Sequence, residues 1–85
     1  MFTIEYTKDA VKSLKQMPRT TATIIMQKID ALASNPFALN NNVKKLVNRP
    51  EYRLRVGDWR VLYAVQEGNL VIEVIRIAPR GGVYS

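Results

Sequence analysis

Residues 52–63, YRLRVGDWRVLY, alternate apolar residues with arginine on both sides of Gly57-Asp58. Alternation with a period of two is typical of β-strands, so the stretch predicts two strands joined at that dipeptide. A two-residue loop that begins with glycine suits a tight hairpin, because glycine accepts the positive φ that such turns require. The stretch therefore predicts a β-hairpin in which Val56 lies opposite Trp59.

The two faces of this hairpin differ in chemistry. With the turn at Gly57-Asp58, Arg55 lies opposite Arg60 and Arg53 lies opposite Leu62. The apolar residues then share one face, which predicts a core surface: Tyr52, Leu54, Val56, Trp59, Val61 and Tyr63. Three arginines gather on the other face, although like charges opposite each other destabilise a sheet. This cluster favours the binding of an anion over a purely structural role.

The residues before the hairpin predict one strand and two helices. Residues 2–6 alternate as a short strand, and Thr7 can cap the helix that follows. The first helix carries an apolar stripe, and the second begins near Pro18 and ends before Asn35-Pro36. The two stripes, both predicted to face the core, are Ala10, Val11, Leu14 and Met17, and Ala22, Ile25, Met26, Ile29, Leu32 and Ala33.

The remaining segments predict a loop and a last pair of strands. Residues 38–43 are polar and predict a loop, which Lys44-Lys45-Leu46 joins to the hairpin. Residues 63–66 and 70–77 predict the final strands, with two registers open. A three-residue loop closed by Asn69 would put Arg76 and Arg80 on the arginine face, and a two-residue loop would put them on the opposite face.

The order of these elements predicts the architecture. It is an α+β fold, β-α-α-β-β-β, in which a two-helix hairpin packs on one face of an antiparallel sheet. We expect residues 1–85 to form one domain, since no linker or repeat divides the chain.

Composition restricts the available chemistry. The 85 residues contain neither cysteine nor histidine, which excludes disulfides, thiolate nucleophiles and the commonest zinc ligands. Lysine and arginine number 13 against 7 acidic residues, a net charge of +6, which predicts a polyanionic partner such as nucleic acid. We expect no metal and no cofactor. The sequence has no signal peptide or apolar run long enough for a membrane, so we expect a cytoplasmic protein without a membrane partner.

Three motifs resemble those of a known family. They are KKL at residues 44–46, YRLRVGDWRVLY at residues 52–63, and a terminal arginine followed by VY at residues 83–84. Within NPFALNNNVKKLVNRPEYRLRVGDWRVLYAV and IRIAPRGGVYS, they resemble the RelE/ParE superfamily of bacterial toxins, and most closely its RelE branch. The resemblance covers nearly the whole chain and implies a RelE-like toxin of a type II toxin–antitoxin system.

The resemblance also implies an activity and partners. It implies a metal-independent endoribonuclease that cuts mRNA in the ribosomal A site and so inhibits translation. The ribosome and mRNA would then be partners, and so would a cognate antitoxin, small and acidic, that wraps the toxin. The complex of the two would bind operator DNA through the antitoxin.

Site residues follow from the same resemblance. The catalytic positions of the RelE branch correspond to Arg53, Arg55, Arg60, Arg80 and Tyr84. We expect further RNA contacts from Lys44, Lys45, Arg49 and Arg76. Cleavage of RNA without a metal concentrates negative charge on phosphoryl oxygens, and arginine donates to two such oxygens at once.

Two features depart from the RelE pattern and bear on proton transfer. RelE has lysines where this chain has Arg53 and Arg55, and arginine does not give up its proton. The tail reads Pro79-Arg80-Gly81-Gly82-Val83-Tyr84, with fewer basic residues than is usual in the family. Within the predicted catalytic set only Tyr84 can therefore move a proton, as an acid or as a base.

Alternative interpretations concern both the protein and its residues. A non-enzymatic toxin of the ParE type, which binds and poisons DNA gyrase, would share the fold, but such chains usually lack the full basic set and the terminal tyrosine. Arg55 or Arg60 could instead form surface ion pairs with Asp58 or Glu73. We expect Tyr52, Trp59 and Tyr63 to be core aromatics rather than platforms on which RNA bases stack.

Overall fold

A computed structural model describes residues 1–37 and 41–80, which form two helices and five strands. The elements are β1 (Thr3–Tyr6), α1 (Lys8–Gln16), α2 (Arg19–Leu32), β2 (Val43–Lys45), β3 (Tyr52–Val56), β4 (Trp59–Gln66) and β5 (Val71–Pro79). The strands form one sheet in the order β1-β5-β4-β3-β2, and the helices cover one of its faces. In these ranges neither helix is long and apolar enough to cross a membrane.

The predicted hairpin forms in the predicted register. Val56 lies opposite Trp59, Arg55 opposite Arg60, and Arg53 opposite Leu62. Gly57 has a φ of 58° at the start of the turn, a value that L-residues with a side chain rarely adopt. The α+β class and the helix pair on one face are thus confirmed, and the arginines of the hairpin share the face that the helices leave open.

The sheet contains one strand and one pairing that we did not predict. Residues 38–43 were expected to be a loop, yet Val43 is buried and begins β2, which pairs with β3 at the sheet edge. A strand of three residues is too short for alternation to reveal it. In addition β1 runs parallel to β5, whereas the other pairs are antiparallel, because the helix pair separates β1 from the meander in the chain.

A β-bulge sets the face on which Arg76 lies. Gln66 pairs with Val71, so the loop between β4 and β5 has four residues, whereas the sequence suggested two or three. The register then shifts between Leu62 and Tyr63, and Ile75 is the extra residue. Without this bulge Arg76 would face the helices, because one residue of slip exchanges the faces of a strand. With it, Arg76 pairs with Leu62 on the arginine face.

Thr7 connects this bulge to the first helix. Its Oγ1 accepts a hydrogen bond from the backbone N of Ala10 at 3.2 Å, which is the predicted N-cap, and donates to the carbonyl of Ile75 at 2.6 Å. Its backbone N also donates to the carbonyl of Val74 at 3.0 Å. Such a cap typically stabilises a helix by about 1 kcal/mol, and here the same side chain also satisfies the carbonyl of the bulged residue.

The core lies between the helices and the hairpin's apolar face. Leu54, Val61 and Tyr63 are buried there, as predicted, and Trp59 packs against them while remaining half-buried. Each helix buries fewer residues than we expected. In α2, for example, the buried residues are Ile25, Ile29 and Leu32, which form one narrow stripe along the helix. The neighbouring Val11 and Met26, predicted to be core residues, are 36% and 41% exposed. For these two residues the prediction was wrong.

Candidate functional site

Five basic residues lie on the open face of the sheet, which we call the basic face: Lys44, Arg53, Arg55, Arg60 and Arg76. Cross-strand pairing arranges them in two rows, one of Lys44, Arg53, Leu62 and Arg76, the other of Arg55, Arg60 and Ala78. Neighbouring strands are about 4.8 Å apart and alternate residues of a strand about 6.7 Å apart. The basic groups are therefore close enough together for one anionic group to contact more than one of them.

A polar cavity opens between β2 and β3 on this face. It has a volume of about 190 Å³ and is lined by Asn41, Asn42, Val43, Lys44, Arg53 and Arg55. The Nη2 of Arg55 donates to the Oδ1 of Asn42 at 3.2 Å, and its backbone N donates to the Asn42 carbonyl at 2.7 Å. The asparagine thus holds the Arg55 guanidinium at the cavity, while the other nitrogens of that guanidinium can still donate to an anion.

Asn41 and Asn42 were not among the predicted site residues. The signal in the sequence was the run of asparagines immediately before the basic strand, which we interpreted only as a polar loop. Their role depends on the pairing of β2 with β3, since that pairing brings Asn42 next to Arg55.

The hairpin turn organises two further arginines. The Nη1 of Arg60 donates to the carbonyls of Gly57 at 3.1 Å and of Trp59 at 3.0 Å. The backbone N of Arg80 donates to the Asp58 carbonyl at 2.8 Å, which places Arg80 beside the same turn. Across the described ranges, neither Arg55 nor Arg60 forms the ion pair with Asp58 or Glu73 that we had considered. These guanidinium groups are held by neutral acceptors, so their positive charge is not cancelled.

Arg76 occupies the β5 side of the basic face. Its Nε lies 3.6 Å from the Oδ2 of Asp9 in α1, and both side chains are partly exposed. Exposed pairs of this kind contribute only about 0–1 kcal/mol, so Asp9 orients Arg76 weakly and an anionic ligand could compete for it.

Three predicted residues lie elsewhere or outside the described part of the chain. Lys45 pairs with Tyr52 on the opposite side of the sheet, where its Nζ lies 5.5 Å from the Tyr52 ring and donates to the Arg49 carbonyl. Arg49 lies in the loop before β3 and forms an ion pair with Glu51 at 3.1 Å. Neither belongs to the basic face. Tyr84 lies outside the described residues.

Tyr63 is a core residue, as predicted. It is fully buried, its ring stacks on that of Tyr52 at 5.5 Å, and its hydroxyl has no hydrogen-bond partner among the described residues. Burial, with a smaller contribution from Tyr52, raises the pKa of Tyr63 to about 12. The hydroxyl therefore stays protonated near neutral pH, and the buried ring, which lies on the core face of β4, is not a platform for RNA bases.

A Tyr63→Phe variant tests this assignment. Because the pKa is raised from 10.0 to about 12 on folding, the stabilisation is complete below pH 10 and is lost as the pH rises towards 12. A shift of that size corresponds to about 2–3 kcal/mol. Urea titrations should therefore show a smaller loss of unfolding free energy in Tyr63→Phe than in the wild type between about pH 9 and 12. Equal losses would contradict the assignment, since Tyr6, whose pKa burial also raises, titrates in both proteins.

The chain matches a known protein family over almost its whole length. The family model described as the ParE toxin of type II toxin–antitoxin systems matches residues 4–84. The chain belongs to this family. Its curated relatives include a toxin named RelE1 of Methanocaldococcus jannaschii, 32% identical over 99% of this chain and 96% of that protein. Another is the toxin RelE of Mycobacterium tuberculosis, 32% identical over 95% of this chain and 84% of that protein.

Solved structures support the same assignment. The toxin resembles the archaeal RelE–RelB complex of Pyrococcus horikoshii with a TM-score of 0.82 and 29% identity, over 95% of this chain and 97% of that one. These relatives are named RelE, so the predicted RelE branch of the RelE/ParE superfamily is confirmed together with the RelE-like fold.

A second surface of the toxin lies away from the basic face. One groove, of about 520 Å³, is lined by Tyr6, Lys8, Val11, Lys12, Lys15 and Gln16, and another, of about 420 Å³, lies on the other side of Tyr6 and includes Ile4 and Met26. The exposed apolar side chains of Val11 and Met26 thus line grooves instead of the core. Three lysines rim the first groove, so this surface combines an apolar floor with positive charge.

Within the described ranges no group of three or more acidic, histidine or cysteine residues could hold a metal ion.

Proposed function

We propose that this toxin is a metal-independent endoribonuclease that cleaves mRNA in the ribosomal A site and thereby inhibits translation. The observation that carries the proposal is the basic face, on which arginines from three adjacent strands are held by neutral acceptors or weak surface contacts and still present their charge. The names of its curated relatives, both RelE toxins, support the same class.

The chemistry assigns a task to each group. The 2′-oxygen of the RNA attacks the adjacent phosphorus, the bond from phosphorus to the 5′-oxygen breaks, and the products carry a 2′,3′-cyclic phosphate and a 5′-hydroxyl. Arg53, Arg55 and Arg60 would donate to the phosphoryl oxygens, on which negative charge accumulates in the transition state. The 2′-hydroxyl gives its proton to solvent water, and the 5′-oxygen gains one. We assign the second transfer to Tyr84, which donates its phenolic proton and regains one from solvent, because arginine stays protonated.

The shape of the basic face supports a requirement for the ribosome. The cavity between β2 and β3, of about 190 Å³, is large enough for a phosphate group, and the rest of the basic face is an open sheet surface. In-line attack requires the 2′-oxygen, the phosphorus and the leaving oxygen to be aligned, and such alignment is a large part of the rate. An open basic face binds RNA without fixing this geometry. We infer that the ribosome supplies the alignment by holding the codon.

A cognate antitoxin would restrain this activity. A net charge of +6 favours an acidic partner, and both the basic face and the lysine-rimmed groove beside Tyr6 offer positive charge to one. An acidic amphipathic segment would suit the groove, because its apolar residues could contact Val11 while its carboxylates meet the lysines. The P. horikoshii structure is itself a complex of RelE with RelB.

Primer extension on mRNA from a reconstituted translation reaction tests the proposal. With ribosomes programmed on a defined message, we expect new 5′-ends within the A-site codon after addition of the toxin, and none when the message is free in solution. The family description carries the name ParE, so gyrase poisoning is the alternative outcome. That outcome would leave the message intact and would produce double-strand breaks when gyrase and DNA are supplied instead.

A further inference from the structure

Leu62 is a buried apolar residue on the basic face. Only 4% of it is exposed, although it points away from the helices, and it is not part of the core cluster. In its row it lies between Arg53 of β3 and Arg76 of β5, while Arg60 and Ala64 flank it along β4. In the register of the sheet, the positions around Leu62 on this side are therefore three arginines and Ala64, with the bulged Ile75 next to Arg76.

Side-chain chemistry explains how a leucine can be buried there. The three methylene groups of arginine lie along apolar surfaces while the guanidinium remains in water. Residues directly opposite each other across a sheet have Cβ atoms about 5 Å apart, close enough for the stems of Arg53 and Arg76 to contact Leu62 from both sides. The strands themselves put the Cα atoms of Arg53 and Arg76 two strand spacings, or roughly 10 Å, apart, and the Leu62 side chain lies between them.

We propose that Leu62 is a positioning residue, an apolar spacer against which the stems of Arg53 and Arg76 pack so that their guanidinium groups stand at a fixed separation on the basic face. The proposal rests on the proposed nuclease function for its catalytic consequence. Its structural part, the ordering of two arginines by one leucine, is independent of that function. Leu62 itself contacts no reacting atom.

The chain offers a matched control in Leu54. It has the same side chain and is 5% exposed, and it lies on the adjacent strand, but it faces the helices. Truncation of either leucine to alanine removes the same atoms from a buried position, and we expect similar losses of thermal stability. Only the Leu62→Ala change removes the spacer between the arginines.

The experiment compares the two variants at a temperature where both are folded. We expect Leu62→Ala to slow single-turnover cleavage on saturating programmed ribosomes by about 10²-fold, the effect of a misplacement of roughly 1 Å, and to leave the ribosome concentration at half-maximal rate nearly unchanged. Leu54→Ala should retain the wild-type rate, and Leu62→Met should restore most of it. If the two alanine variants lose activity equally, or neither loses it, the proposal is wrong.

A second measurement keeps the proposal independent of nuclease activity. Heteronuclear NOEs of the arginine Nε–Hε groups report side-chain order on the picosecond to nanosecond timescale. Arg53 and Arg76 should become more mobile in Leu62→Ala and not in Leu54→Ala; unchanged values in Leu62→Ala would overturn the proposal even if the protein proved not to cleave RNA. Should Leu62→Ala fail to fold, Leu62→Val and Leu54→Val carry the same comparison. Failure of the proposed function is recognised separately, from wild-type toxin that leaves the message intact.

Discussion

Replacing Arg60 with alanine is expected to slow cleavage of ribosome-bound mRNA by about 10²–10³-fold, equivalent to roughly 3–4 kcal/mol of transition-state stabilisation. Two turn carbonyls hold Nη1 of this guanidinium, so the group is oriented before RNA arrives and its other nitrogens remain available to phosphoryl oxygens. Preorganised donors of this kind act mainly in the transition state. Ribosome binding, which is shared among many basic residues, should weaken much less than the rate.

Two controls separate position from charge in this experiment. Arg19→Ala removes the same charge from the exposed start of α2, and we expect its single-turnover rate to equal that of the wild type. Arg60→Lys keeps the charge but loses the planar fork, and it should recover only part of the rate. If Arg60→Ala cleaves as fast as Arg19→Ala, Arg60 does not stabilise the transition state.

Leu54→Ala is expected to have a large effect on stability, a loss of about 2–5 kcal/mol of unfolding free energy, as is typical of large-to-small changes in a core. Leu54 is buried on the core face of β3, opposite Val61 and next to β2. Denaturant titrations followed by circular dichroism measure the loss. It should appear as a lower midpoint with an unchanged slope, since the same surface is exposed on unfolding.

Val47→Ala provides the matched control for this stability measurement. Val47 is 78% exposed in the loop between β2 and β3, so its truncation should change the unfolding free energy by less than about 0.5 kcal/mol. A loss below about 1 kcal/mol in Leu54→Ala would contradict the burial of the hairpin's apolar face. The assignment of the arginines to the opposite face would then also be wrong.

The hairpin and its arginine face could be predicted because they depend on local patterns. Alternation, which only Leu62 interrupts, and a glycine at the turn determine which side chains share a face, and both are visible within residues 52–63. The helix pair and its cap at Thr7 were likewise predictable from the spacing of apolar residues and from a capping side chain. The three sequence motifs were also enough to predict the RelE-like fold and the toxin family.

The remaining features depend on contacts between distant segments. The bulge at Ile75, which puts Arg76 on the basic face, is stabilised by Thr7, 68 residues earlier in the chain. The length of the loop between β4 and β5 does not reveal this bulge. The position of Lys45 away from the basic face follows from the pairing of β2, a strand too short to detect. The exposure of Val11 and Met26 depends on how the helices cross the sheet, which periodicity does not specify.

The most direct test of the central claim uses a message with a single 2′-deoxynucleotide at the cleaved position of the A-site codon. The proposed reaction forms a bond from the 2′-oxygen to phosphorus, so the account predicts rapid cleavage of the all-ribose message on programmed ribosomes and an intact deoxy-substituted message under the same conditions. Ribosome occupancy of both messages is checked by toeprinting before the toxin is added. Cleavage of the deoxy-substituted message, or an intact all-ribose message on occupied ribosomes, would contradict the account.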